Sequence, residues 1–233
     1  MPASVPGDLI TDLEAAGMVG DPLYELNWLN ASIWDTNTWT YSTTFTAPAG
    51  GGSTLLVFDG IKMGADIILD GKKIGNTTDQ FLRYIFPVTL SSTQAPHTLE
   101  VVFDPKIDCG GRWMSCTGGW DWAPYTNTKQ DGIPTFTKGI WKSVSLVQVG
   151  AAAITDMVPQ ITYAGEYPTA PLDDTTHGGF DVSVRVHTWA AKPTKGTMTV
   201  TGGWAVRLTQ PLMHVSTPLP PCSFLPHAAS SLA

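Results

Sequence analysis

Charge is scarce in this sequence. Only 14% of its 233 residues are Asp, Glu, Lys or Arg, against roughly a quarter in ordinary globular domains, so it has few charged faces from which to build long solvated helices. An all-helical bundle is excluded. What charge there is leans acidic, with 13 basic and 20 acidic side chains and a formal net charge of −7. Nothing electrostatic draws such a chain to a phosphate backbone or to anionic lipid, so neither nucleic acid nor a membrane surface is an expected partner. Long hydrophobic runs are missing as well. No stretch of about 18 apolar residues exists for a spanning helix, and the opening MPASVPGDLI has neither the basic start nor the apolar core of a secretory leader. Those features leave the compartment open.

Cysteine is sparse: Cys109, Cys116 and Cys222 are too few for a disulfide framework and lack the paired C-x2-C spacing of a zinc site. Cys109 and Cys116 flank a glycine-rich stretch and either bridge in an oxidising compartment or remain free thiols. The five histidines show no HExxH or H-x3-H spacing, so no metal or other cofactor is expected. The nucleophile elbow, the phosphate-binding P-loop and the dinucleotide glycine fingerprint are all absent. Glutamate is limited to Glu14, Glu25, Glu100 and Glu166, none sharing a motif with another acid. Glycoside hydrolysis needs two carboxyl groups about 5 to 9.5 Å apart across the scissile bond.

Glycine (23), proline (18) and tryptophan (9) are plentiful, a balance that favours short strands joined by tight turns. One short amphipathic helix is predicted over Asp8 to Ala16, with Leu9, Leu13 and Ala16 on one face and Gly17 ending it. From Trp39 the pattern turns to alternation: WTYSTTFTA, TLLVFDGI, ADIILDGKKIG, YIFPVTL, HTLEVVFDP and, from Gly139 to Val149, GIWKSVSLVQV. Each segment is rich in β-branched or aromatic residues and bounded by turn formers, as strands are. Asp70-Gly71 predicts a two-residue type I′ hairpin, which requires positive φ at both central positions. The spacing is that of an antiparallel sandwich or jelly roll. A second unit begins after Val149 with ITDMVPQITYAG, GFDVSVRVHTWAA and GTMTVTGGWAV, three strands where a sandwich needs about seven. The proline-rich end, residues 206–233, is expected to be poorly ordered.

Between Asp104 and Gly139 the strand pattern stops. Loops of this length in compact domains are usually functional or disordered, and Trp113, Trp120, Trp122 and Tyr125 argue against disorder. Trp120-Asp121-Trp122 suits a sugar: indole faces cover the apolar C–H face of a pyranose while the carboxylate accepts hydrogen bonds from adjacent hydroxyls. The same triplet also reads as a core tryptophan pair with an aspartate capping a turn. Arg112 has no assigned role. Asn30-Ala31-Ser32 and Asn76-Thr77-Thr78 match the glycosylation pattern, a signal common by chance.

Taken in order, the motifs from Ala3 to Val149 (DLITDLEAAGMVGDPLYELN, LLVFDGI, ADIILDGKKIG, LEVVFDP, GWDWAP and GIWKSVSL) resemble the N-terminal sugar-binding domain of the family 2 glycoside hydrolases, most closely the β-mannosidases. The resemblance implies an all-β chain: a galactose-binding-like jelly-roll domain over 1–149, a partial immunoglobulin-like β-sandwich over 150–205, and a non-family tail over 206–233. It also implies Trp120, Asp121 and Trp122 as substrate-binding residues that hold a β-mannoside or related glycan, with Trp141 as structural support. Ala123 stands where the family pattern has glycine. In that family the catalytic glutamates belong to a following (β/α)8 barrel, and no such segment is recognisable here. The chain is therefore expected to be inactive alone, a truncated portion whose partner is the parent enzyme's barrel; a free-standing lectin-like module and a purely structural interaction domain are the alternatives.

Overall fold

A computed structural model of the protein describes residues 1–27, 33, 37–47, 53–62, 64–90, 96–103, 138–167, 169, 171 and 178–201, together with the backbone of 207–213. The chain divides into two compact units, Met1–Gln148 and Val149–Ala233. Among the described residues the regular elements are one short helix and a set of strands joined mainly in antiparallel pairs.

In the first unit the helix α1 (Leu9–Ala15) lies where the apolar spacing put it. Asp8 caps it by accepting a hydrogen bond from the Ile10 amide, and Gly17 follows with φ +68°, the usual chemistry of a helix start and stop. Leu9, Ile10 and Leu13 are buried and pack on Val19, Ile33 and Trp39. A four-stranded sheet runs in the order β1 (Trp39–Thr46), β6 (Pro96–Phe103), β3 (Ala65–Leu69), β4 (Lys72–Asn76). A three-stranded sheet has β2 (Ser53–Phe58) between β5 (Tyr84–Val88) and β7 (Val144–Val149). Alternation in β3 and β6 buries Ala65, Ile67 and Leu69 with Leu99, Val101 and Phe103, the period-two signature of a strand with one face on a core. Those side chains join Leu56, Phe58 and Tyr84 from the three-stranded sheet in one cluster, so the core draws on both sheets.

The hairpin turn is as predicted: Asp70 has φ +50° and Gly71 +75°. One strand boundary differs from the sequence reading. GIWKSVSLVQV becomes strand only from Val144, because the residues before it bond to other partners, described below. In the second unit, β8 (Ala153–Tyr163) pairs with β9 (Phe180–Trp189), and β10 (Lys195–Thr201) pairs with β11 (Arg207–Met213). β11 lies within the 206–233 segment that the sequence reading expects to be poorly ordered. Its register against β10 gives its backbone partners, and its Pro211 opposite Thr197 is tolerable on the edge strand of a two-stranded ribbon. Residues 214–233 lie outside the described residues.

Candidate functional site: the roots of the 104–137 segment

Trp120, Asp121 and Trp122 lie outside the described residues, as do Arg112, Ala123, Cys109, Cys116 and Cys222. The two ends of the segment that carries the triplet are described. One end leaves from Phe103, the last residue of β6, which is fully buried and paired with Trp39 on β1 and Ala65 on β3. The other returns at Lys138, and there the chain is held from three directions.

On one side stands the N-terminal segment. The Gly7 amide donates to the Ile140 carbonyl at 2.8 Å, and the Leu9 amide donates to the Lys138 carbonyl at 2.8 Å. Between these bonds Gly139 takes φ +147°, and a Cβ built on it would come within 2.8 Å of the Gly7 carbonyl oxygen and 2.9 Å of the Asp8 Cα. Only glycine permits that approach at that φ. On the second side the turn after β2 contributes: the Lys62 amide donates to the Gly139 carbonyl (3.0 Å), the Lys142 amide to the Gly60 carbonyl (3.1 Å), and the Asp59 amide to the Ser143 carbonyl (3.0 Å). These bonds occupy the backbone that the sequence pattern assigned to a longer β7. On the third side the Trp141 indole N–H donates to the Gln80 carbonyl at 3.0 Å, and its ring meets Phe81 edge-on at 6.4 Å. The Lys142 ammonium sits 4.4 Å from the centre of the Trp141 ring. Trp141 thus braces the return strand, as the sequence reading expected.

The N-terminal segment is itself tied down. Asp12 is 5% exposed; one carboxylate oxygen accepts the Ser4 amide at 2.9 Å and the other accepts the Tyr41 hydroxyl at 3.1 Å. Burial, reinforced by the adjacent Asp12 charge and hydrogen bond, pushes the Tyr41 phenol well above the usual tyrosine range. Sequence reasoning missed this arrangement. Its one visible signal was a glycine opening the GIWK motif, which says nothing about its partners some 130 residues earlier. Lys138 is 1% exposed and Lys62 6%, unusual burial for lysine.

Among the described residues, no three His, Cys, Asp or Glu side chains gather where a metal ion could be held, and no helix is long and apolar enough to cross a membrane. His97 Nδ1 lies 2.7 Å from Asp70 Oδ2, which ties the hairpin turn to β6.

Such a pair of sheets, with a long aromatic segment leaving one and re-entering beside the other, defines a class of β-sandwich module. Residues 1–142 match the family model described as the glycosyl hydrolase 2 galactose-binding domain-like module. The chain belongs to that family. It is 31% identical over 195 residues to a protein named β-mannosidase B of Emericella nidulans, an alignment covering 72% of this chain and 22% of the relative. It is also 26% identical to a rat β-mannosidase, over 86% of this chain and 24% of the relative. The chain thus spans less than a quarter of the length of these relatives. Among solved structures, the fold is shared with a Dictyoglomus thermophilum β-D-mannosidase (TM-score 0.63, 21% identity, 91% of this chain and 27% of that one). It is shared equally with an Amycolatopsis orientalis exo-chitosanase (TM-score 0.66, 20% identity, 91% and 23%). The first unit is therefore an N-terminal domain of the kind found in β-mannosidase-like enzymes of glycoside hydrolase family 2.

Proposed function

We propose that this chain is the carbohydrate-binding portion of a β-mannosidase-like glycoside hydrolase, and that it holds a terminal β-mannosyl residue through Trp120, Asp121 and Trp122. The observation that carries the reading is the family match over residues 1–142, within which the triplet falls, together with relatives named β-mannosidase. The indoles cover the sugar's C–H face and the Asp121 carboxylate accepts from ring hydroxyls; none of the three transfers a proton. Residues 150–205 are the opening strands of an immunoglobulin-like domain.

The chain does no glycosidic chemistry of its own. Glu14 lies on α1, Glu100 on β6, and Glu166 in the second unit beyond β8, with Glu25 in the connection before β1. None of these stands in a motif with a second acid, and double displacement needs a facing pair. The catalytic partner is the parent enzyme's barrel.

The test is a mannose titration followed by tryptophan fluorescence. Saturable binding in the millimolar range, about −4 kcal/mol, is expected, weakened roughly tenfold or more in Asp121→Ala by loss of a charge-assisted hydrogen bond. Binding that survives Asp121→Ala and Trp122→Ala unchanged overturns the site. If wild-type protein shows no saturable response, the sugar-holding role of this chain alone fails. A free-standing lectin-like module is the alternative, distinguished by specificity: a lectin would bind mannose-type glycans tightly without regard to a terminal β-linkage.

A further inference from the structure

We propose that one face of the β8–β9 ribbon is a docking surface for a second copy of this chain, the two ribbons packing face to face about a two-fold axis at Pro159 and Val184. The inference rests on described residues of the second unit and is independent of the sugar-binding reading.

Register sorts the side chains of the ribbon into two unlike faces. Directly paired residues share a face, and so do residues two apart along a strand. Met157 with Val186, Pro159 with Val184 and Ile161 with Val182 therefore stand on one side. Asp156 with His187, Val158 with Arg185 and Thr162 with Asp181 stand on the other. Near the start of β8 the register shifts between Ile154 and Asp156, leaving Ile154 opposite Thr188. That bulge returns Ile154 to the apolar side, where strict alternation would have set it among the polar residues. The apolar side is open: Ile154 is 68% exposed, Met157 57% and Ile161 63%. A two-stranded ribbon is marginal by itself, and a sheet gains stability by burying its apolar face against another layer.

Charge, shape and area each fit a second copy. No pair on this face carries a charged residue, so a chain with a net charge of −7 brings no like charges together by docking there. The face is bulky at one end, where Tyr163 lies opposite Phe180 with the rings edge-on at 5.7 Å, and slighter at the other, where Ile154 faces Thr188. A two-fold axis at the middle pair reverses one ribbon over the other. Each aromatic end then covers the slighter end of its partner, Ile161 covers Met157, and the gap stays even near the roughly 10 Å of packed sheets. Half-exposed side chains of this size hold roughly 50 Å² of apolar surface each, which brings the buried total to about 1,000 Å² for two copies. That is close to the lower bound for a specific interface, so the dimer is reversible and of micromolar strength.

Sedimentation velocity of the full 233-residue chain over about 1 to 100 μM reads the association. The weight-average mass is expected to rise from 25.0 kDa toward twice that value. Ile161→Lys and Met157→Asp each bury an unpaired charge and are expected to weaken association about tenfold or more. Gln160→Lys places the same charge on the polar face and is expected to stay near wild type. Because the axis sets Ile161 over Met157, mixing the two weakened variants brings the introduced charges together, and a heterodimer within about threefold of wild-type strength is expected. Ile161→Thr keeps the strand propensity while shortening the side chain; its expected loss of about threefold keeps the test open should the charged variants fail to fold. A wild-type mass of 25.0 kDa at every concentration means that another segment of this chain or a different protein covers the face, and overturns the proposal. Equal weakening by Gln160→Lys and Ile161→Lys overturns it too, and folded variants that do not recover on mixing overturn the two-fold arrangement.

Discussion

Asp70 serves two purposes in one residue. Its backbone takes the positive φ of the hairpin turn, and its carboxylate accepts from the Thr98 amide at 2.9 Å while sitting 2.7 Å from His97 Nδ1. The hydrogen bond to His97, then that from Thr98, holds its carboxyl below the usual aspartate range. A carboxyl with a depressed folded pKa contributes stability above its unfolded pKa, near 4, and loses it as pH falls through the folded value. Asp70→Asn keeps a residue that accepts the left-handed turn, so urea midpoints of wild type and variant should differ at pH 7 and converge as pH drops below about 4. Tyr41 runs the other way. Its phenol is raised, so the folded state keeps a proton that the unfolded chain releases near pH 10, and stability falls as pH climbs past that point. Tyr41→Phe, which costs about 1 kcal/mol at neutral pH through the lost bond to Asp12, should close on wild type between pH 9 and 11 in the same assay. The turn at Asp70 is legible from the Asp-Gly pair. The reach of its side chain to His97 is not, because 27 residues separate them.

Two glycines show how one substitution takes its cost from its element. Gly71 has φ +75° in open space, with nothing within 4 Å of an added Cβ; Gly71→Ala should cost roughly 1 kcal/mol from backbone conformation alone. Gly139 combines positive φ with backbone 2.8 Å away, and since that backbone cannot swing aside as a side chain can, Gly139→Ala should cost on the order of 3 kcal/mol. Denaturant unfolding of both variants checks the ranking; equal losses would mean the root yields to the added methyl. The strands themselves followed from period-two burial, β3 and β6 most plainly. The start of β7 did not, since Gly139 to Lys142 carry a strand-like composition but spend their backbone groups on Gly7, Gly60 and Lys62. β11 was hidden by its proline, which reads as a breaker until a neighbouring strand is present.

Across the whole molecule, the net charge of −7 has no counterpart on a neutral sugar. Mannose affinity should therefore change less than about twofold between low and high salt, because screening acts on charge pairs; a steep salt dependence would point to an ionic ligand instead. The 233-residue protein should also release no aryl alcohol from an aryl β-mannoside above buffer, measured after affinity purification to remove host glycosidases. Turnover that persists through repurification would show that a carboxyl pair is present after all.

Composition and periodicity were enough to settle the β class, the short first helix and the hairpin turn, and the order of motifs carried the resemblance to the family, because those depend on neighbours in the chain: an Asp-Gly step, alternating side chains, motifs in a fixed order. Tertiary structure alone decided what joins residues far apart, namely the bond of Leu9 to Lys138, the Asp12 network with Ser4 and Tyr41, and the closeness of Gly139 to Gly7. A one-dimensional pattern records what each residue prefers locally, whereas a buried carboxylate and a backbone approach without room for a Cβ exist only once distant segments have met.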